Sequence, residues 1–158
     1  MTFHNKFEIT RLADQLERAF RGGAWHGPAT REALSGIDAD KSGRRLEGSP
    51  HTIVEHIRHM AFWLNAAHLR IAEGYDVSNE EDWPEMGTLS DEGWAQTVKN
   101  LEQAQGNLLT TLLDLADNRL DDPVAGSGPT VRGLLLGNLQ HNAYHTGQIV
   151  QIARELAK

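Results

Sequence analysis

The chain has 158 residues, with 15 Lys and Arg against 22 Asp and Glu, eight His, no Cys and a formal net charge of −7. Without cysteine there is no disulfide framework, no thiolate zinc site and no cysteine nucleophile, so any metal must be held by His or carboxylate. The acidic balance, with no cluster of Lys and Arg to offset it, argues against a phosphate-backbone partner, so no nucleic acid is expected.

The length suits one domain over residues 1–158, long enough to bury a core. The opening segment, MTFHNKFEIT, lacks the cationic stretch and apolar run of a signal peptide. The longest aliphatic run, Leu134-Leu135-Leu136, is far short of a membrane span. A cytoplasmic protein without a membrane partner is therefore expected.

Helical periodicity dominates and strand-like alternation is hard to find. A first helix is predicted from about Phe3 to Arg21, with Ile9, Leu12, Leu16 and Ala19 on one face and Gly22-Gly23 as its stop. A loop with one short helix between Pro28 and Gly36 follows, then a polar surface connection from Asp38 to Gly48. The second long helix is predicted to open with Ser49 as N-cap and Pro50 in its first turn, and to end at Gly74. Ile53, Ile57, Met60, Leu64 and Ile71 form its stripe. After an acidic Trp-Pro loop, Ser90 caps a third helix. Trp94, Val98, Leu101, Leu108, Leu112 and Leu115 carry that helix to about Asn118. A turn-rich linker, DDPVAGSGP, leads to a fourth helix from about Thr130 to the C-terminus. Four amphipathic helices with connections longer than a tight turn predict an all-α four-helix bundle.

The fourth helix carries HNAYHTGQIV, which places His141 and His145 one turn apart on one face, where both can reach a single metal ion. The alternative is two partly buried histidines satisfied locally. Against a stripe of Val131, Leu135, Ile149, Ile152 and Leu156, His145 falls about 25° from the centre and His141 about 65°, so both look inward. A third ligand should come from a facing helix. The second helix offers His56, about 60° from its stripe centre, and His59, about 120° away; ideal geometry favours His56. Glu55 or Glu102 could assist as a carboxylate or be no more than a charged helix face.

Taken together, SPHTIVEHIRHMAFW and HNAYHTGQI resemble the DinB/YfiT-like superfamily of four-helix metal-binding proteins, with AWHGPA and EDWP in the expected order along almost the whole chain. His141, Tyr144, His145, Gly147 and Gln148 match the family's fourth-helix pattern. In that family the first histidine lies seven residues after a Ser or Thr near the start of the second helix, which from Thr52 gives His59, where ideal geometry prefers His56. The resemblance thus implies metal ligands His59, His141 and His145, with His56 next in preference.

Three imidazoles make an open Lewis-acidic site for zinc or nickel. The resemblance further implies a metal-dependent enzyme that transfers a low-molecular-weight thiol to a small electrophilic substrate, and a homodimer. The alternatives are a metal-dependent hydrolase and a non-catalytic metal-stabilised binding or sensor module.

Other residues have two readings. Trp25, His26, Trp83 and Pro84 sit in loops, as substrate contacts or as structural fillers. Tyr144 either orients a water or packs between helices, and Gln148 either bonds an imidazole or ties two helices together. His4, His51 and His68 are expected at the surface or at helix ends, and the acidic run Asn79 to Asp82 in a solvated loop.

Overall fold

The computed structural model describes residues 6–78, 82–83, 89–125 and 128–158. Its α-helices are α1 (Phe7–Arg21), α2 (Thr30–Ala33), α3 (Ala39–Gly43), α4 (Ile53–Ala72), α5 (Asp91–Asp114) and α6 (Val131–Glu155), with a 3-10 turn at Asp117–Arg119. Among the described residues the sole β feature is an isolated bridge between Pro123 and Thr130. The four long helices are the predicted ones; their ends differ where a better cap competes.

The N-cap of α4 is Thr52, not Ser49. Thr52 Oγ1 accepts from the Glu55 amide at 3.4 Å, and the Glu55 carboxylate accepts from the Thr52 amide at 2.8 Å. That reciprocal box satisfies two end donors, which Ser49 could not do with Thr52 as its counterpart three residues on. Ser49 instead donates to the carbonyl of His51 at 2.8 Å. Helix α5 starts as predicted, with Ser90 accepting from the Gly93 amide at 3.1 Å, but it stops at Asp114 rather than near Asn118. The next turn serves a different helix. Asp117 accepts from the Glu8 and Ile9 amides at 3.0 Å each, capping the free first turn of α1. Thr130 caps α6 through the Gly133 amide at 3.2 Å. The predicted start of the first helix at Phe3 lies outside the described residues.

The long helices do not follow one another around the bundle. α1 and α4 each pack against both α5 and α6, so α1 and α4 stand diagonally, as do α5 and α6. Diagonal placement needs long crossovers, which is why the connections exceed a minimal turn. The first crossover contains α2, packed on α1 and α6, and α3, packed on α4 and α5. The stretch from Asp38 to Gly48 is therefore not a plain surface connection. Asp38 caps α3 through the Lys41 amide at 2.8 Å, and Ala39 and Ser42 are buried. The bundle carries two short helices after α1, one more than predicted.

One apolar cluster joins the layers, with Ile9 and Leu16 from α1, Ile57 and Leu64 from α4, Leu101 and Leu108 from α5 and Leu135 and Ile149 from α6. Each such side chain removed from water contributes roughly 1.5–3 kcal/mol. No helix among the described residues is long and apolar enough to cross a membrane.

Candidate metal centre

Helix α4 is covered on both sides, by α5 and by α6, and this decides the fate of its histidines. Its apolar stripe faces the core, while the neighbouring strip, which a helical wheel assigns to solvent, lies under α6 and the residue pair 82–83. His56 and His59 are 4% and 5% exposed. The wheel estimate that set His59 about 120° from the stripe centre and favoured His56 does not hold: a helix with two buried sides has no single stripe from which to measure.

The rings pair across the two helices. His56 Nδ1 lies 3.1 Å from His145 Nδ1, and His59 Nε2 lies 2.8 Å from His141 Nε2. Pairing the earlier α4 residue with the later α6 residue means the two helices run antiparallel here. One potential ligand atom from each of His59, His141 and His145 lies within 4.8 Å of the others. These are the three histidines that the family resemblance selects. His56 stands outside this group, on the far side of His145.

Asp82 fixes the orientation of His59. Its Oδ1 lies 2.5 Å from His59 Nδ1 and also accepts from the Trp63 indole N–H at 2.7 Å. A carboxylate accepts but does not donate, so the His59 proton sits on Nδ1 and the Nε2 lone pair is left facing His141. This side chain, read from the sequence as part of a solvated acidic loop, is instead half-buried against the cluster. The other residues of that run, 79–81, lie outside the described residues, as do His4 and Pro84.

Trp83 covers the cluster. Its ring stacks near-parallel on His51 at 3.6 Å between centroids and on His59 at 3.9 Å, leaving no room for both imidazoles on one face. The indole therefore lies between them, with its edge toward His145. Such a cover excludes water and lowers the local dielectric. Burial pushes the His145 imidazole down to about 3, with His141 and His59 adding to the effect. Burial, then His51 and His59, pushes His56 down to about 4. Burial, then His59, also lowers His141. These three rings are held neutral, the state in which an imidazole can ligate.

Two paired nitrogens can share only one proton, and His141 Nδ1 is buried with no hydrogen-bond partner. Leaving such a group unsatisfied costs about 1–3 kcal/mol. Convergent, under-bonded nitrogens with a carboxylate behind one of them form a donor set that fits a borderline-soft divalent cation.

The remaining candidates separate clearly. Glu55 is buried but committed: Oε1 meets Arg45 at 2.8 Å and Oε2 holds the Thr52 amide. Glu102 pairs with Arg31 at 3.0 Å on a different flank. His51 does sit at the helix end, yet its stacking on Trp83 makes it part of the cover. His68 is not a surface residue; it is half-buried and bridges to Thr111 of α5 at 2.7 Å. Trp25 is fully exposed and fills no space under its loop, and His26 is exposed beside it. Tyr144 is 64% exposed, its edge against His145 at 5.0 Å, so it does not pack between helices. Gln148 is half-buried. Missed from the sequence was Asp82, whose only signal was its place beside Trp83 in a loop following the first pair of histidines.

The family model for the DinB superfamily matches residues 24–149, a span that includes all of these histidines. No curated protein matches the chain significantly. With most of its length covered by that match and its four long helices arranged as described, the chain belongs to the DinB superfamily.

Proposed function

We propose that the chain is a metal-dependent enzyme in which His59, His141 and His145 hold one divalent ion, zinc or nickel, and that it transfers a small thiol to an electrophilic substrate. The observation that carries this reading is the convergence of three imidazoles from two antiparallel helices, with ligand atoms within 4.8 Å. A bound ion of this kind supplies Lewis acidity, lowering the pKa of a thiol or a water brought to it. The chain's own residues do the rest. Asp82 keeps the His59 proton on Nδ1, and the contact between His56 Nδ1 and His145 Nδ1 occupies one nitrogen of His145, which leaves the other for the ion. Trp83 keeps bulk water off that face.

Thiol transfer is favoured over hydrolysis because activating water calls for a general base. Among the described residues, the carboxylates nearest the cluster are both committed: Glu55, which reaches His51 at 3.6 Å, to Arg45 and Thr52, and Asp82 to His59 and Trp63. A homodimer belongs to the same reading, as the family resemblance implies; light scattering at two concentrations tests it.

The reaction is tested by loading the protein with zinc or nickel and following transfer of 2-mercaptoethanol or cysteine to 1-chloro-2,4-dinitrobenzene, with p-nitrophenyl acetate as the hydrolysis control. Metal-dependent acceleration of the thiol reaction, absent from the double variant His141→Ala, His145→Ala, is the expected result. Acceleration of ester cleavage alone would replace transfer with hydrolysis. A metal-loaded protein that accelerates neither would leave a binding module.

A further inference from the structure

Beside the imidazole cluster, and sharing His141 as a wall, lies a cavity of about 300 Å³ between Trp63 of α4 and one face of α6. That face carries Gly133, Leu134, Gly137 and Asn138 before His141. Among the described residues lining it none is charged. The guanidinium of Arg70, over the Trp63 ring at 5.9 Å, is tied to Asp76 at 2.9 Å. The size matches the lower range of small-molecule sites, and the lining is the usual mixture of apolar wall and a few polar groups.

The two glycines have different reasons to be there. A Cβ on Gly133 would come within 2.9 Å of Pro129, so the close approach of that proline requires glycine. A Cβ on Gly137 would meet nothing within 4 Å. Glycine within a helix is less favourable than alanine, and packing gives no return for it at this position. What it leaves is open space one turn from His141. The opposite wall is fixed by the residue that fixes the metal site, because Asp82 holds the Trp63 indole and His59 through one oxygen. Asn138, 6% exposed, adds a carbonyl oxygen without a partner, while its amide nitrogen is bound to Leu134 O at 3.2 Å.

We propose that this cavity receives the body of the substrate, and that the substrate is a small, uncharged molecule with an apolar or aromatic body whose reactive end reaches the imidazole cluster past His141. The assignment rests on the catalytic reading of the metal centre. A charged body is disfavoured because no described group lining the cavity would repay its desolvation.

The test is an NMR titration of the full-length, isotope-labelled protein with benzyl alcohol and, separately, benzoate, in the metal-free and zinc-loaded forms. Benzyl alcohol should give saturable shifts at the Gly133 and Gly137 amides and the Trp63 indole N–H, with benzoate at least tenfold weaker. Gly137→Leu should weaken benzyl alcohol at least tenfold, whereas Gly106→Leu on α5, equally unhindered and outside the cavity, should bind as wild type does. If Gly137→Leu fails to fold, Gly137→Ala carries the same comparison with a several-fold weakening. Absence of saturable shifts at those positions, equal binding of benzoate, or a Gly137 variant that binds like wild type would each overturn the proposal. The metal-free titration keeps the two readings apart: a protein that takes no zinc but binds benzyl alcohol defeats the metal centre alone. One that takes zinc and ignores benzyl alcohol defeats the cavity alone.

Discussion

Asp82 shows how much one side chain can decide at this centre. Its carboxylate sets the His59 tautomer and holds the Trp63 indole, acting on the imidazole cluster and on the cavity wall from one position. Replacing it by Asn substitutes an amide that can also donate, and frees His59 to carry its proton on Nε2, the wrong nitrogen for the cluster. Asp82→Asn should weaken zinc binding about 10- to 100-fold while leaving helicity unchanged, measured by competition with a chromophoric chelator. His56→Ala should weaken it less, since His56 touches His145 and not the convergent face. Equal affinity in wild type and Asp82→Asn would remove Asp82 from the account. His141 and His145 can be read from the sequence because they share one helix at i, i+4, whereas His59 is selected by the family resemblance and not by its spacing. Asp82 cannot be read that way, because its partner His59 lies 23 residues away and only the folded loop brings them together.

Among the elements, α4 brings His56, His59 and Trp63 to the centre, and its start is set by the Thr52–Glu55 box. Thr52→Ala should cost about 1 kcal/mol of unfolding free energy, with Thr52→Ser close to wild type, by urea denaturation. The starts at Ser90 and Thr130 are legible because each is the last Ser or Thr before its helical run, Ser90 leading into an acidic first turn and Thr130 directly into Val131. The start of α4 is less so, because Ser49 and Thr52 both qualify and the choice turns on whether the residue three positions on can reciprocate. The end of α5 lies beyond local reading altogether: periodicity continues to Leu115, but Asp117 is claimed by the amides of α1, more than a hundred residues earlier. The face assignment of His59 fails for a similar reason. A helical wheel assumes one buried side, and α4 has two.

For the whole molecule, the neutral histidines make stability depend on pH. In the metal-free protein the His145 and His56 values lie near 3 and 4, below the ordinary 6.5 that they regain on unfolding. Between those values the unfolded chain binds more protons, so stability is intact above about 6.5 and falls as the pH drops toward 4. Urea midpoints between pH 7.5 and 4.5 should decline for the metal-free wild type and decline less steeply for His145→Gln; parallel slopes would show that His145 is not held neutral. Zinc, binding the folded state and not the unfolded one, should raise the melting temperature at pH 7.5 in wild type alone. The bundle itself follows from four periodic segments and their connection lengths, whereas the diagonal pairing of α1 with α4 and the extra helix α3 depend on contacts between distant segments.

The most direct test of the metal centre is elemental analysis of the untagged protein, after exposure to zinc and nickel and exhaustive dialysis, beside the double variant His141→Ala, His145→Ala. Wild type should hold close to one equivalent of metal and the variant almost none, with matching circular dichroism. A wild type that remains empty, or a variant that retains as much metal as wild type, would contradict the metal centre.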